Sequence, residues 1–364
     1  MMIMELSTKY IERWDIRDKD AMYIKDFLVR EIFFDCESNK EIISLVVAIF
    51  EDRNNLDNDK LRDEISNLDY RELHWKVWDR IRILMIVNGL MLISHYFRNL
   101  AVKSLNTAQD GQFLVRRFSN ALEDLDIKKM KNLVKEFEKN ALDASAERRV
   151  ISLLEGKYKL QDSYGELVKD KRVIVCGPAY SQNYDWDYDR ESDIVISMTY
   201  KGNNIDIGNG NTIFVDVSYY NYHSTQVMEK SILEYSKELE YICTKKKIES
   251  KENIRMIECV ERGITFGNLL LGTIVIFDLL NYNPKEIYIA NYDLYSSGVP
   301  YNEKYVEKGK NENRKNTSLA IHDIEGQFNL MKALYNNNYF SCDRQLELIL
   351  NLENVDYMKL MDRY

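Results

Sequence analysis

The chain is poor in proline, with 3 in 364 residues, and in glycine, with 14. Long Pro- or Gly-rich linkers are therefore excluded. No proline precedes Pro178, so nothing forbids long helices in the first half. The 5 cysteines, Cys36, Cys176, Cys243, Cys259 and Cys342, are scattered and never form a CxxC pair. That odd, unclustered set excludes a disulfide framework and a structural zinc site, and fits reduced thiols in a cytoplasmic protein. Positive charge is also lacking: the formal net charge is −9. Duplex binding runs on phosphate neutralisation by Lys and Arg, so nucleic acid is not an expected partner. Lys245-Lys246-Lys247 reads as a solvated turn. No apolar run approaches the roughly 20 residues a bilayer requires. The longest, 83–93, contains Asn88 and Gly89 and reads as a buried helix. Acidic and basic residues come too early in 1–15 for a secretory signal. GxGxxG and a P-loop lysine are absent, which argues against dinucleotide and ATP sites of those types.

What remains is an ordinary globular composition, 45% hydrophobic and 30% charged, long enough for one or two domains. Residues 42–50, 77–97 and 127–142 carry apolar positions at helical spacing. Ile127, Met130, Leu133, Val134 and Phe137 fall on one face, with Lys128, Lys131, Lys135 and Glu138 opposite. Residues 1–165 are thus expected to be a helical region: a scaffold, a partner surface or a membrane-docking layer. His74 and His95 lie among aromatics and are expected to be packed or capping residues. The pattern changes near residue 170. Val173-Ile174-Val175-Cys176 is a continuous apolar run ending in Gly177-Pro178, as for a buried strand entering a turn. Further strands are expected at 194–196, 213–217, 241–243, 254–257 and 287–290, and helices at 268–280, 323–335 and 345–352. This alternation predicts an α/β domain over 166–364 with a mainly parallel sheet.

Ligands of such sheets sit beyond the carboxyl ends of strands. Three segments qualify: the turn Gly177-Pro178-Ala179-Tyr180-Ser181, the stretch Asn291-Tyr292-Asp293-Leu294-Tyr295, and His322-Asp323-Ile324-Glu325 at the start of an amphipathic helix. A small-residue turn admits phosphate or ribose but serves equally as structure. Asp293 can bind a sugar hydroxyl or cap a turn. His322 is eligible as a general base, although a histidine at a helix start is more often structural.

In order, CGPAYS, ESDIVIS, VDVSYYN, KEIYIANYDLYSSGVPY and HDIEGQFNLMKAL resemble the bacterial sialyltransferases that build lipooligosaccharide. The resemblance covers roughly 171–334, and 285–301 is its most specific part. It implies a Rossmann-like GT-A variant fold and an inverting glycosyltransferase using a CMP-activated acidic sugar, with no metal or resident cofactor. It implies a glycan or glycolipid acceptor, and leaves open peripheral contact with the inner face of a membrane and a homo-oligomer. By position His322 matches the family's base, and Tyr301 and Tyr305 its phosphate-contacting tyrosines. Gly177, Pro178, Ala179, Ser181, Asn221, Asn268, Asp293 and Tyr295 would surround the donor.

The family's Asn-Gly-Pro-Ser turn has Cys176 and Ala179 in place of Asn and Ser here, which removes two side-chain hydrogen bonds to the donor. Its second strand ends in Asn where this chain has Ser197-Met198-Thr199, and its Gly before the Asp is Asn291 or Tyr292 here. Two rival readings follow. One is a non-catalytic nucleotide-binding or scaffold protein with a degraded pocket. The other is a metal-dependent transferase using Asp185 and Asp187, whose Asp-x-Asp spacing reads by default as a hydrated loop. His223 is as well read as a surface-loop residue as one lining the cleft.

Overall fold

The computed structural model describes residues 8–34, 39–107, 113–179, 187–200, 202, 205–206, 212–220, 226–245, 248, 253–258, 263–296 and 312–362. Helices α1 (Thr8–Ile11), α2 (Ala21–Phe27), α3 (Lys40–Glu51), α4 (Asn58–Ser66), α5 (Trp75–Val87), α6 (Met91–Thr107), α7 (Leu114–Glu123), α8 (Ile127–Lys139), α9 (Ser145–Leu154) and α10 (Ser163–Val168) build the first part. Polar residues mark their starts: Asp20, Asn39, Asp57, Asp126 and Asp162 each accept a hydrogen bond from a first-turn N–H. His74 caps α5 in the same way. Cys176, Cys243 and Cys342 are free thiols.

The apolar stretch 77–97 is two helices, not one. Asn88 is fully buried; its side chain accepts from Ile16 N and donates to the Trp14 and Leu84 carbonyls. Gly89 follows at φ +78. Gly89 N then bonds Ile86 O, and Leu90 N bonds Met85 O, the paired closure that ends a helix on a left-handed residue. The signal lay inside the run, but apolarity on both sides of it masked the stop.

The second part is a sheet. Strands β1 (Arg172–Cys176), β2 (Asp193–Met198), β5 (Val217–Tyr220), β6 (Tyr241–Thr244), β7 (Ile254–Met256), β8 (Glu286–Ala290) and β9 (Ser341–Cys342) form one sheet in the order β7-β6-β5-β2-β1-β8-β9, every pairing parallel. A two-stranded antiparallel pair, β3 (Ile205–Asp206) and β4 (Thr212–Ile213), stands apart. The expected strand 213–217 is therefore split between β4 and β5. At the split Asp216 bonds Val195 twice, through its own N–H to Val195 O and through its carboxylate from Val195 N. Helices α11 (Gln226–Tyr235), α12 (Leu271–Leu280), α13 (Glu312–Ile321), α14 (Ile324–Asn336), α15 (Arg344–Leu350) and α16 (Asn354–Met361) complete the chain. The protein is thus an α/β protein with a Rossmann-like parallel sheet preceded by an all-helical region.

Val173, Ile174 and Val175 of β1 are wholly buried, as a central strand covered on both faces requires. From β1 the chain steps outward through β2, β5, β6 and β7. It then returns through α12 to place β8 on the other side of β1. The switch point, where ligands of such sheets bind, is therefore at the carboxyl ends of β1 and β8. One hydrophobic core runs from Ile11 to Met361 and draws on both parts. Helix α13 packs on α5, α16 on α6, and α14 on α7.

Candidate functional site

The switch point brings the first two candidate segments into contact. Gly177 N donates to Ala290 O at 2.8 Å, and Ala179 N to Asn291 O at 3.0 Å. A Cβ on Gly177 would lie 2.2 Å from Asn291 O. Glycine is needed there so that the two loops can touch, and these two N–H groups point into protein rather than outward. Pro178 has no N–H to offer. Cys176, buried beneath the turn, has its thiol pushed up to about 12 by burial and then by Asp343, so it is no nucleophile.

Beyond β8, Asn291 N bonds the buried carboxylate of Asp343, which also caps α15 through Leu346 N. Asp293 caps its own turn, accepting from Tyr295 N at 3.0 Å. Leu294 O accepts from Tyr357 of α16 at 2.7 Å. Tyr292 lies against the first turn of α12: a Cβ on Gly272 would meet its ring at 2.9 Å. Leu270, the residue before α12, supplies no side-chain cap. An uncapped first turn presents N–H groups suited to an anion.

His322 lies beside the segment that leads into that first turn. Its Nδ1 is 3.0 Å from Asn268 O, which also accepts from Gln327 Nε2 at 3.0 Å. A carbonyl only accepts, so Nδ1 carries the proton and the neutral ring keeps its lone pair on Nε2. That is the tautomer a general base requires. The approach is tight: a Cβ on Gly267 would lie 2.6 Å from Ile321 O and 2.7 Å from His322 C and Asp323 N. Gly177, Asn291, Tyr292, Gly272, Asn268 and His322 thus form a continuous path around the amino end of α12. Ser181, Asn221, Tyr301 and Tyr305 lie outside the described residues, as do Asp185 and His223.

Left-handed backbone gathers beyond β8. Six left-handed non-glycine residues, Leu125, Ala141, Asp170, Asn283, Asp323 and Asn338, sit just past helix ends, Asp323 two residues after α13. Four others are Thr199 beyond β2 and Asn291, Leu294 and Tyr295 beyond β8. Each such conformation costs about 1–3 kcal/mol and persists where its surroundings impose it, commonly at binding sites. Asn291 Oδ1 is buried with no hydrogen-bond partner among the described residues.

Asp323 and Glu325 do not act through the helix dipole alone, as residues at a helix start would suggest. Asp323 is fully buried and forks onto Arg98, with Nε–Oδ1 at 3.0 Å and Nη2–Oδ2 at 2.9 Å. Glu325 bonds His95 Nδ1 at 2.8 Å, so His95 is a packed residue. No local pattern marks Arg82, Arg98 and Glu123 as site-related in the sequence: each shares its helix with other charged residues, among them Asp79 and Arg80, Lys103, and Arg116 and Arg117. A groove of about 410 Å³ lies elsewhere, between α8 and α9, lined by Lys131, Val134, Lys135, Arg148 and Ile151. None of those residues is a site candidate. The chain matches no family model, no curated protein and no solved structure.

Proposed function

We propose that the protein is a glycosyltransferase of the kind its sequence resembles: inverting, metal-independent, and moving an acidic sugar from a CMP-activated donor to a glycan or glycolipid acceptor at the cytoplasmic face of a membrane. The observation that carries this is the path from the Gly177 turn to His322 around one uncapped helix start at the switch point. The left-handed Asn291 adds support, because the resembled family has Gly before the Asp and Asn tolerates that conformation best after glycine. In the reaction His322 Nε2 takes the proton of the acceptor hydroxyl as its oxygen bonds the anomeric carbon. The bond from that carbon to the phosphate oxygen breaks, and CMP leaves. Tyr301 and Tyr305 would steady the growing phosphate charge together with the first-turn N–H groups of α12.

A second reading, a nucleotide-binding or scaffold protein without catalysis, is favoured by one observation: Gly177 N and Ala179 N are spent on Ala290 and Asn291. Titration calorimetry with CMP, UDP and GDP, followed by hydrolysis of the matching sugar nucleotide without acceptor, separates the two. CMP binding with slow CMP-sugar hydrolysis is the expected result. Binding without turnover selects the second reading in its nucleotide-binding form, and no nucleotide binding at all rejects the transferase and leaves the scaffold.

A further inference from the structure

The turn bearing His322 closes a ring of contacts through the helical half. Asp323, left-handed at φ +42, is tied to Arg98 of α6. Arg98 Nη2 reaches Glu123 of α7 at 2.8 Å. The other Glu123 oxygen accepts from Thr265 N at 2.7 Å. From Thr265 the chain runs through Gly267 to Asn268, whose carbonyl accepts the hydrogen bond from His322 Nδ1–H. Arg82 braces the ring, at 3.5 Å from both Asp323 Oδ1 and Ala320 O, and is itself paired with Asp79 at 2.7 Å. Both guanidinium groups lie over the ring of Phe266, at 5.7 and 5.6 Å. Gly326 leaves the room: a Cβ there would be 2.6 Å from Asp323 Oδ2 and 2.9 Å from Arg98 Nη2 and Glu123 Oε1. Arg82, Arg98, Glu123 and Asp323 are at most 4% exposed.

Burying this many charges is a poor way to gain stability, because apolar residues of equal volume do as well or better. What such a ring does supply is geometry: a forked guanidinium accepts few arrangements. We propose that the helical half is a clamp that sets the imidazole of His322, with Arg98 as its positioning residue. The catalytic consequence rests on the function proposed above; the placement of the ring does not.

The test uses the ¹⁵N-labelled full chain, which has 4 histidines. Long-range ¹H–¹⁵N spectra read each ring's tautomer, and His322 is assigned by its loss in His322→Gln. Wild type should show Nδ1 protonated. Arg98→Lys keeps the charge and loses the fork. A folded Arg98→Lys should lose the Nδ1–H form of His322, and CMP-sugar turnover should drop about 100-fold in kcat with KM unchanged, the scale of a 1 Å misplacement. Glu123→Gln, a milder lesion on the opposite side of the ring, decides the matter if Arg98→Lys does not fold. Arg255→Lys is the control: Arg255 forms a comparable ion pair with Asp278, at 2.6 Å, toward the other end of α12. It should lower stability and leave the His322 tautomer alone. A wild-type tautomer in the folded ring variants, or the same change in Arg255→Lys, overturns the clamp. Absence of turnover in wild type defeats the glycosyltransferase reading instead, and the spectra still judge the clamp.

Discussion

Asp323→Asn isolates the electrostatics of the ring. Asn tolerates the left-handed backbone at 323 as readily as Asp, so the substitution adds no strain. What changes is the acceptor set. The carboxylate offers both oxygens to Arg98, whereas an amide offers one oxygen and turns an N–H toward the other donor. Breaking a buried ion pair costs about 3–5 kcal/mol. Arg98 keeps Glu123 and Arg82 keeps Asp79, which puts the loss near the lower end, about 3 kcal/mol. With an unfolding entropy of about 2.1 cal/mol/K per residue over 364 residues, that is a fall of about 4 °C in Tm. The pH dependence follows from the same contacts. Burial pushes the Asp323 carboxyl up, but Arg98 and then Arg82 outweigh it and hold it at about 2. A carboxyl depressed in the folded state stabilises fully above its unfolded value and loses that contribution as pH falls through its folded one. Chemical denaturation of both proteins should therefore show an equal gap at pH 7 and 5, closing below about pH 4. Equal stability at pH 7, or a gap indifferent to acid, would refute the reasoning.

Gly177→Ala forces a methyl to 2.2 Å from Asn291 O, a backbone atom. It should cost about 1–3 kcal/mol by denaturation and weaken CMP binding by calorimetry. Tyr301→Phe or Tyr305→Phe should cut kcat for CMP-sugar turnover about 100-fold with little change in KM, as for loss of one donor to a developing charge. EDTA should leave that turnover unchanged; its loss, restored by Mg²⁺ or Mn²⁺, would favour the Asp185/Asp187 reading.

The parallel sheet could be read from the sequence because its central strands advertise themselves. Val173 to Cys176 and Ile287 to Ala290 are short apolar runs next to Gly-Pro or Asn, and they became β1 and β8. The amphipathic face expected over 127–142 gave α8 for the same local reason, with the helix ending at Lys139. The break at Asn88 depends on partners in the N-terminal segment, Trp14 and Ile16, and so escaped a local reading. The split of 213–217 depends on Asp216 choosing Val195. The site shows the same division. His322 and the Gly177 turn carry local marks, whereas the ring behind His322 joins residues 225 and 241 positions apart. Periodicity shows that Arg82 and Arg98 lie in apolar helices but says nothing of where their carboxylates come from.

The central claim is that one imidazole, placed by the Asn268 carbonyl, takes the acceptor's proton. His322→Ala in the full chain, assayed for CMP-sugar turnover and CMP affinity together, tests it most directly. Turnover should fall by at least about 100-fold while CMP binds as in wild type, because in the proposed reaction the histidine acts on the acceptor hydroxyl and not on the nucleotide. Turnover at the wild-type rate in that variant would contradict the account.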